Sequence, residues 1–331
     1  MRSKLVYLPN WVGDFLMAWA SLRWCLGRDV LLFGKPRFRE LVEGDLSEAR
    51  WIPKSGSFTR DWLRLFKSEA VEAVLLPNSF SSALITTLAG MRTVGIPSDG
   101  RGFLLNKRVL PRCFHQADVY REILDAAGLK VPERPLPSLS LAPEHLEWAE
   151  DRLRRAGFGN TPVFCVHPGA SKSQRCWMVE GFAQVCRRLL REGFGIVIVG
   201  GGADSREAEA VEEMVSGSGV LNLAREDVSL GRLAAVISLA CGFLGNDSGP
   251  LHIAAAAGVP SVGIYGTSVP EKTGPVTVPG VPFVPVCSRF PCSPCRERFF
   301  KECEPQNGKP PCIAAISVED VWGAVEEVLG L

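Results

Sequence analysis

The 331-residue sequence lacks a dominant charge, since 37 Lys and Arg face 36 Asp and Glu for a net of +1. That balance excludes a general attraction to nucleic acid. It also lacks an unbroken apolar span. The longest stretch without a charged side chain, residues 248–270, is punctuated by Gly249, Pro250, Gly258, Pro260, Gly263, Gly266 and Pro270. It therefore reads as strand, turn and helix rather than as a membrane segment. No secretory leader is expected, because the apolar start at residues 5–8 is broken by Pro9 and Asn10 and then carries Asp14. The expected location is the cytoplasm.

What is present is ordinary globular composition, 46% hydrophobic and 22% charged, which excludes a disordered, collagen-like or disulfide-scaffold chain. At roughly 150 residues per domain the length corresponds to two domains. The 11 cysteines, in a chain read as cytoplasmic, are reduced thiols or metal ligands rather than disulfides. Charge is unevenly placed: residues 1–158 hold 23 basic and 18 acidic side chains (+5), the rest 14 and 18 (−4). Arg101, Lys107, Arg108 and Arg112 form a run without an acid, suited to an anionic partner.

Short apolar runs at residues 4–8, 30–33, 73–76 and 93–96 alternate with helical patterns such as residues 59–70, which predicts a parallel sheet. Residues 131–143 carry Pro132, Pro135, Pro137 and Pro143, a density that neither a helix nor a central strand tolerates, so a linker is expected there. The charged helix 144–155 follows. The pattern then restarts with runs at 163–166, 196–199 and 261–265, with helices around 181–191 and 205–215. The predicted fold class is α/β, with two Rossmann-like domains. Their expected boundaries are 1–158 and 159–315, with a Cys-rich loop at 287–312 and a C-terminal helix, 316–331, as a candidate to pack back on the first domain.

Two stretches invite a nucleotide. Gly200-Gly201-Gly202-Ala203-Asp204 follows an apolar strand, but the spacing is not G-x-G-x-x-G, which disfavours a nicotinamide dehydrogenase. Asn246-Asp247-Ser248-Gly249-Pro250-Leu251-His252 ends an apolar strand and opens an Ala-rich helix. Pro suits a first helical turn. Free backbone donors there, together with the Ser248 hydroxyl and His252, make an anion site suited to phosphates, although a simple N-cap fits the same residues.

Pro9-Asn10-Trp11-Val12-Gly13-Asp14, Leu76-Pro77-Asn78-Ser79-Phe80, Leu104-Leu105-Asn106, His167-Pro168-Gly169-Ala170 and residues 246–252 with Tyr265-Gly266 occur in that order. The set resembles the bacterial lipopolysaccharide heptosyltransferases of glycosyltransferase family 9, over nearly the whole chain. The resemblance implies a GT-B fold, its two parallel sheets facing a central cleft. It also implies inverting transfer of heptose from ADP-heptose to the heptose of the lipopolysaccharide inner core, with no cofactor required for catalysis. The acceptor would be a phosphorylated glycolipid, met by peripheral contact with the cytoplasmic membrane face.

Carried over residue by residue, Asp14 matches the general base, while Ser248, Gly249, Leu251 and His252 match the diphosphate loop. Arg175 stands where the family usually has Lys; Arg neutralises a diphosphate but reaches differently. Met178 replaces a frequent Pro, and Ser81 a Lys. Asp204 and Glu207 are candidates for the ribose and Val228 for the adenine, each equally readable as an ordinary helix-start or turn residue. Asn78, Ser79 and Arg101 are candidate acceptor contacts. A transferred hydroxyl must lose its proton as ADP leaves, so a base and a source of positive charge are both needed. Asp14 and Arg175 fall on opposite sides of the linker, which predicts domain closure.

Cys292-x-x-Cys295 has chelate spacing, and Cys303 and Cys312 supply two more thiols, so a structural zinc or iron–sulfur cluster is as well supported as reduced thiols. Two alternatives to heptosyl transfer remain open: a family member using another nucleotide sugar, and a non-catalytic nucleotide-sugar or lipid-binding protein.

Overall fold

The computed structural model describes residues 3–46, 49–288, 290, 292, 295, 298, 300–306 and 308–331. The chain divides into two compact units, residues 1–140 and 141–331.

The first unit runs β1 (Lys4–Tyr7), α1 (Val12–Leu22), β2 (Val30–Gly34), α2 (Pro36–Arg39), β3 (Arg50–Pro53), α3 (Phe58–Phe66), β4 (Glu72–Leu75), α4 (Phe80–Leu88), β5 (Arg92–Gly95), β6 (Lys107–Arg108) and α5 (Gln116–Ala126). Its strands pair in parallel in the order β3-β2-β1-β4-β5-β6. The central strands are apolar on both faces because helices cover both, so β2 is buried at all five positions. Order reverses between β1 and β4, which are adjacent though far apart in sequence. Ligands of such sheets bind beyond the carboxyl ends of the strands at that switch point.

The second unit repeats the plan. It runs α6 (Pro143–Arg155), β7 (Val163–His167), α7 (Val179–Arg191), β8 (Gly195–Ile198), α8 (Ser205–Val215), β9 (Val220–Asn222), α9 (Leu230–Ser238), β10 (Gly242–Asn246), α10 (Gly249–Ala256), β11 (Ser261–Tyr265), α11 (Pro270–Thr273), β12 (Phe283–Cys287), α12 (Pro311–Ala314) and α13 (Val318–Leu329). The strand order is β12-β11-β10-β7-β8-β9, with the reversal between β7 and β10. Phe164, Ile196, Ile198, Leu244, Val262 and Ile264 meet Phe182, Val185 and Leu189 of α7 in one core. Each such buried side chain contributes about 1.5–3 kcal/mol.

Two expectations about organisation are corrected. The division falls before the charged helix rather than after it, because α6 packs on α9 of the second unit and Arg152 pairs with Glu226. The C-terminal helix is part of the second unit. Its apolar face of Val321, Ala324, Val325 and Val328 completes the second core. Arg188 of α7 donates to Glu319 at 2.8 Å, and Trp177 Nε1 donates to Ile316 O at 3.0 Å. The strands absent from the sequence reading, β3, β6, β9 and β12, are the four edge strands: β3 and β6 carry no apolar run, β9 has only three residues, and apolar β12 is interrupted by Pro285.

Candidate active site

The carboxyl end of the second sheet is organised by Asn246, the last residue of β10. Its buried carboxamide accepts from Trp177 N at 2.9 Å and donates to Pro168 O at 2.8 Å and Gly169 O at 3.1 Å. One side chain thus ties β10 to the loops after β7 and before α7. Ser248, the N-cap of α10, adopts extended backbone, but its hydroxyl does not cap the helix. It lies 3.0 Å from His167 Nδ1 and 3.0 Å from Asn246 O. The backbone N–H groups of Gly249 and Leu251 therefore head a helix start suited to an anion, while Pro250 contributes no donor. His252 is buried in the first turn of the same helix.

His167 continues this network. Its Nε2 stands 3.5 Å from Asp204 Oδ2 and its Nδ1 lies 3.0 Å from the Ser248 hydroxyl, whose hydrogen is donated to Asn246 O. Asp204 also accepts from Gly201 N at 2.9 Å. Burial pushes the Asp204 pKa up, but the His167 hydrogen bond and charge and the Gly201 N–H outweigh it and hold the carboxyl below its ordinary value. Gly169 is required beside it, because a Cβ there would lie 2.1 Å from Asp204 Oδ1. Asp204, read from sequence as a ribose ligand, is thus occupied in joining the loops after β7 and β8. Glu207 sits in the first turn of α8, and Val228 is half-buried just before α9, both beyond the carboxyl ends of their strands.

Arg175 is paired inside the protein. Its Nη2 donates to Asp247 O at 2.6 Å and to the Asp247 carboxylate, which also accepts from the Ser268 hydroxyl. The guanidinium is thereby anchored next to the α10 start, with part of its charge balanced by a buried acid.

In the first unit, Asp14 occupies the third position of α1 and is not its cap; Trp11 is the N-cap residue. Tyr120 Oη of α5, reaching across 106 residues of sequence, donates to Asp14 Oδ1 at 2.9 Å. Burial first, then the Asp14 charge and hydrogen bond, push the Tyr120 pKa well above its ordinary value, so it stays a neutral donor. Nothing in the sequence pattern singled out Tyr120; its position on the buried face of an amphipathic helix is indistinguishable from core.

The acceptor candidates separate. Asn78 is exposed and Ser79 half-exposed beyond β4. Arg101 is corrected: it is 0% exposed and touches no solvent. Its guanidinium donates to Ile96 O, Pro77 O, Ser79 O and Ser82 Oγ at 2.6–3.1 Å, holding the loop that carries Asn78 and Ser79. Gly95 leaves room for it, since a Cβ there would lie 3.3 Å from Arg101 Nη2.

Among the cysteines, Cys312 is buried on α12, and burial, with Cys295 and Cys292 nearby, pushes its pKa up to about 11. Among the described residues no three His, Cys, Asp or Glu side chains are placed to share a metal ion. Much of the intervening sequence lies outside the described residues, including residues 293–294 and 296–297.

Two parallel Rossmann-like units, one carrying an open helix start suited to a diphosphate and the other a half-buried carboxylate in the first turn of α1, define a GT-B glycosyltransferase. Residues 62–303 match the model of glycosyltransferase family 9 (heptosyltransferase), and the chain belongs to that family. It is 28% identical over 302 residues to lipopolysaccharide heptosyltransferase 2 of Salmonella typhimurium, covering 82% of this chain and 85% of that protein. The corresponding protein of Escherichia coli K12 is 28% identical over 305 residues, covering 82% and 85%. The fold matches the structure of E. coli ADP-heptose lps heptosyltransferase II with a TM-score of 0.78 at 23% identity, covering 99% of this chain and 98% of that one.

Proposed function

We propose that the protein transfers heptose from ADP-heptose, with inversion, to the heptose of a lipopolysaccharide inner core. The observation that carries this reading is the uncapped start of α10 at the β7/β10 switch point, with Ser248 and His167 behind it. That arrangement suits the diphosphate of a nucleotide sugar, and the relatives' names supply the sugar. As the glycosidic bond to ADP breaks, the α10 backbone donors and Arg175 take up the charge developing on the leaving diphosphate. Asp14, oriented by Tyr120, accepts the proton of the attacking acceptor hydroxyl. We assign Glu207 and Val228 to the ribose and adenine, and Asn78 and Ser79 to the acceptor.

The acceptor is anchored in lipid, and the first unit offers apolar contacts for that surface. The four most exposed large apolar side chains of the described residues are Leu110, Phe103, Trp11 and Phe114, at 75, 73, 64 and 63%. All lie on loops beyond the carboxyl ends of β1, β5 and β6. We read them as a peripheral contact with the cytoplasmic membrane face.

Incubation with a panel of ADP- and UDP-sugars and truncated lipopolysaccharide tests the reading. ADP release with a matching mass increase of the glycolipid is expected only for ADP-heptose. Turnover of another sugar would support a different donor, and nucleotide binding without product would support a non-catalytic binder.

A further inference from the structure

Around the turn that leads to Asp14 the first unit gathers three cations, Lys35, Arg37 and Lys54. Lys35 follows β2, which pairs with β1, and Lys54 follows β3, which pairs with β2; the end of β1 leads into residues 10–14. Lys54 Nζ donates to Asn10 Oδ1 at 2.8 Å and stands 5.1 Å from the Tyr7 ring. Lys35 Nζ stands 5.7 Å from the Trp11 ring and 5.8 Å from the Phe38 ring. Arg37 lies 5.5 Å from the same Phe38 ring. Among the described residues none of the three cations has a carboxylate within 4.0 Å. Burial lowers the Lys54 pKa and the nearby Asp61 charge opposes it only in part, its oxygens accepting from Ser55 N, Ser55 Oγ and Gly56 N.

Ordinary surface lysines extend into water, where like charges are screened. These two are half-buried and held over aromatic faces, so their ammonium groups are fixed before any ligand arrives. Burial first, then the Arg37 and Lys54 charges, pull the Lys35 pKa down, so the like charges around it repel. An anion placed between the two ammonium groups would relieve that repulsion and gain charge-assisted hydrogen bonds. Asn10 shares the turn that leads to Asp14, so such an anion would lie on the same strand-end surface as the candidate base.

We propose that Lys35 and Lys54, with Arg37 at the rim, form an anion subsite that holds a phosphate or sugar carboxylate of the acceptor beside Asp14. The proposal rests on the reading of Asp14 as the acceptor-side base and adds how an acidic acceptor is oriented on it.

Two measurements test it separately from that reading. First, protein with 13C-dimethylated lysines and saturating ADP is titrated with inorganic phosphate, the Lys35 and Lys54 signals being assigned by Lys35→Arg and Lys54→Arg. Both signals should shift saturably; if neither moves, the subsite does not exist. Second, Lys35→Met/Lys54→Met should raise the acceptor KM roughly tenfold or more while leaving the donor KM unchanged, with the double arginine variant close to wild type. Acceptors with and without phosphate identify the source: an effect confined to the phosphorylated glycan assigns a phosphate, and one on both assigns a carboxylate. An unchanged acceptor KM on both acceptors, in an enzyme that transfers heptose, overturns the proposal while the functional reading stands. Phosphate-dependent lysine shifts in a protein that transfers nothing support the subsite and overturn the reading of Asp14.

Discussion

At the scale of single residues, the same side-chain type takes different work from its surroundings. Asp14 and Asp204 both stand at helix starts, yet one accepts a hydrogen bond from a neutral tyrosine and the other is tied to a histidine and a backbone N–H. Asp14→Asn keeps the shape and removes the proton acceptor, so transfer should fall by about 100-fold or more, with ADP affinity and melting temperature little changed. Near-normal turnover in that variant would remove Asp14 from the mechanism. Tyr120→Phe removes one donor from the carboxylate and leaves its ring packed. We expect a smaller loss of kcat, and an acid limb of the kcat/KM profile moved to higher pH, because a carboxylate that loses a donor protonates more readily. A drop in rate with an unshifted profile would make Tyr120 only a packing residue. Arg175→Ala should weaken ADP binding by roughly tenfold or more, through lost charge-assisted bonds. Since it also strands the buried Asp247, calorimetry is to be compared with Arg175→Ala/Asp247→Asn, in which only the loss of affinity should persist.

At the scale of elements, the sequence made strands legible where both faces are covered and hid them where they are not. The runs at β1, β2, β7, β8 and β11 are continuous apolar stretches because helices lie on both sides of the sheet. Edge strands β3 and β6 carry exposed positions and no such run, and β12, though apolar, is interrupted by Pro285, which reads as a breaker. The α10 loop was legible because Ser-Gly-Pro after an apolar run has a physical meaning at a helix start. The Arg101 role was not, because an exposed and a buried arginine look alike in a basic run. Its burial predicts that Arg101→Met, which leaves Pro77 O, Ile96 O and Ser79 O without their donor, destabilises the first unit by about 2–4 kcal/mol in denaturant titration. The pairing of Gly169 with Asp204 gives a second element-level expectation. Gly169→Ala should reduce ADP affinity by pushing Asp204 off His167, and Gly169→Ala/Asp204→Ala should recover part of it if the clash is the cause. No recovery would mean that the Asp204 link itself is what the donor site needs.

At the scale of the molecule, the chain is one plan used twice, each unit with its own sheet, switch point and core. The repetition was readable from the strand rhythm and from the proline-rich stretch around residue 131. The assignment of the helices at its margins was not, because α6 and α13 are amphipathic, and such a helix docks on whichever sheet completes its apolar face. The residues we propose for the nucleotide, from His167 and Arg175 to residues 248–252, lie within the second unit, whereas Asp14, Tyr120, Asn78 and Ser79 lie within the first. A ligand that binds only a folded unit stabilises that unit by mass action, about 2.7 kcal/mol at a hundred times its Kd. ADP alone should therefore slow amide hydrogen exchange in the loops after β7, β8 and β10 and leave residues 3–140 at their unliganded rates. Acceptor glycolipid alone should do the reverse, protecting the loops after β1 and β4. Protection of the first unit by ADP alone would place part of the nucleotide on residues 3–140 and break the division of labour drawn from the two switch points.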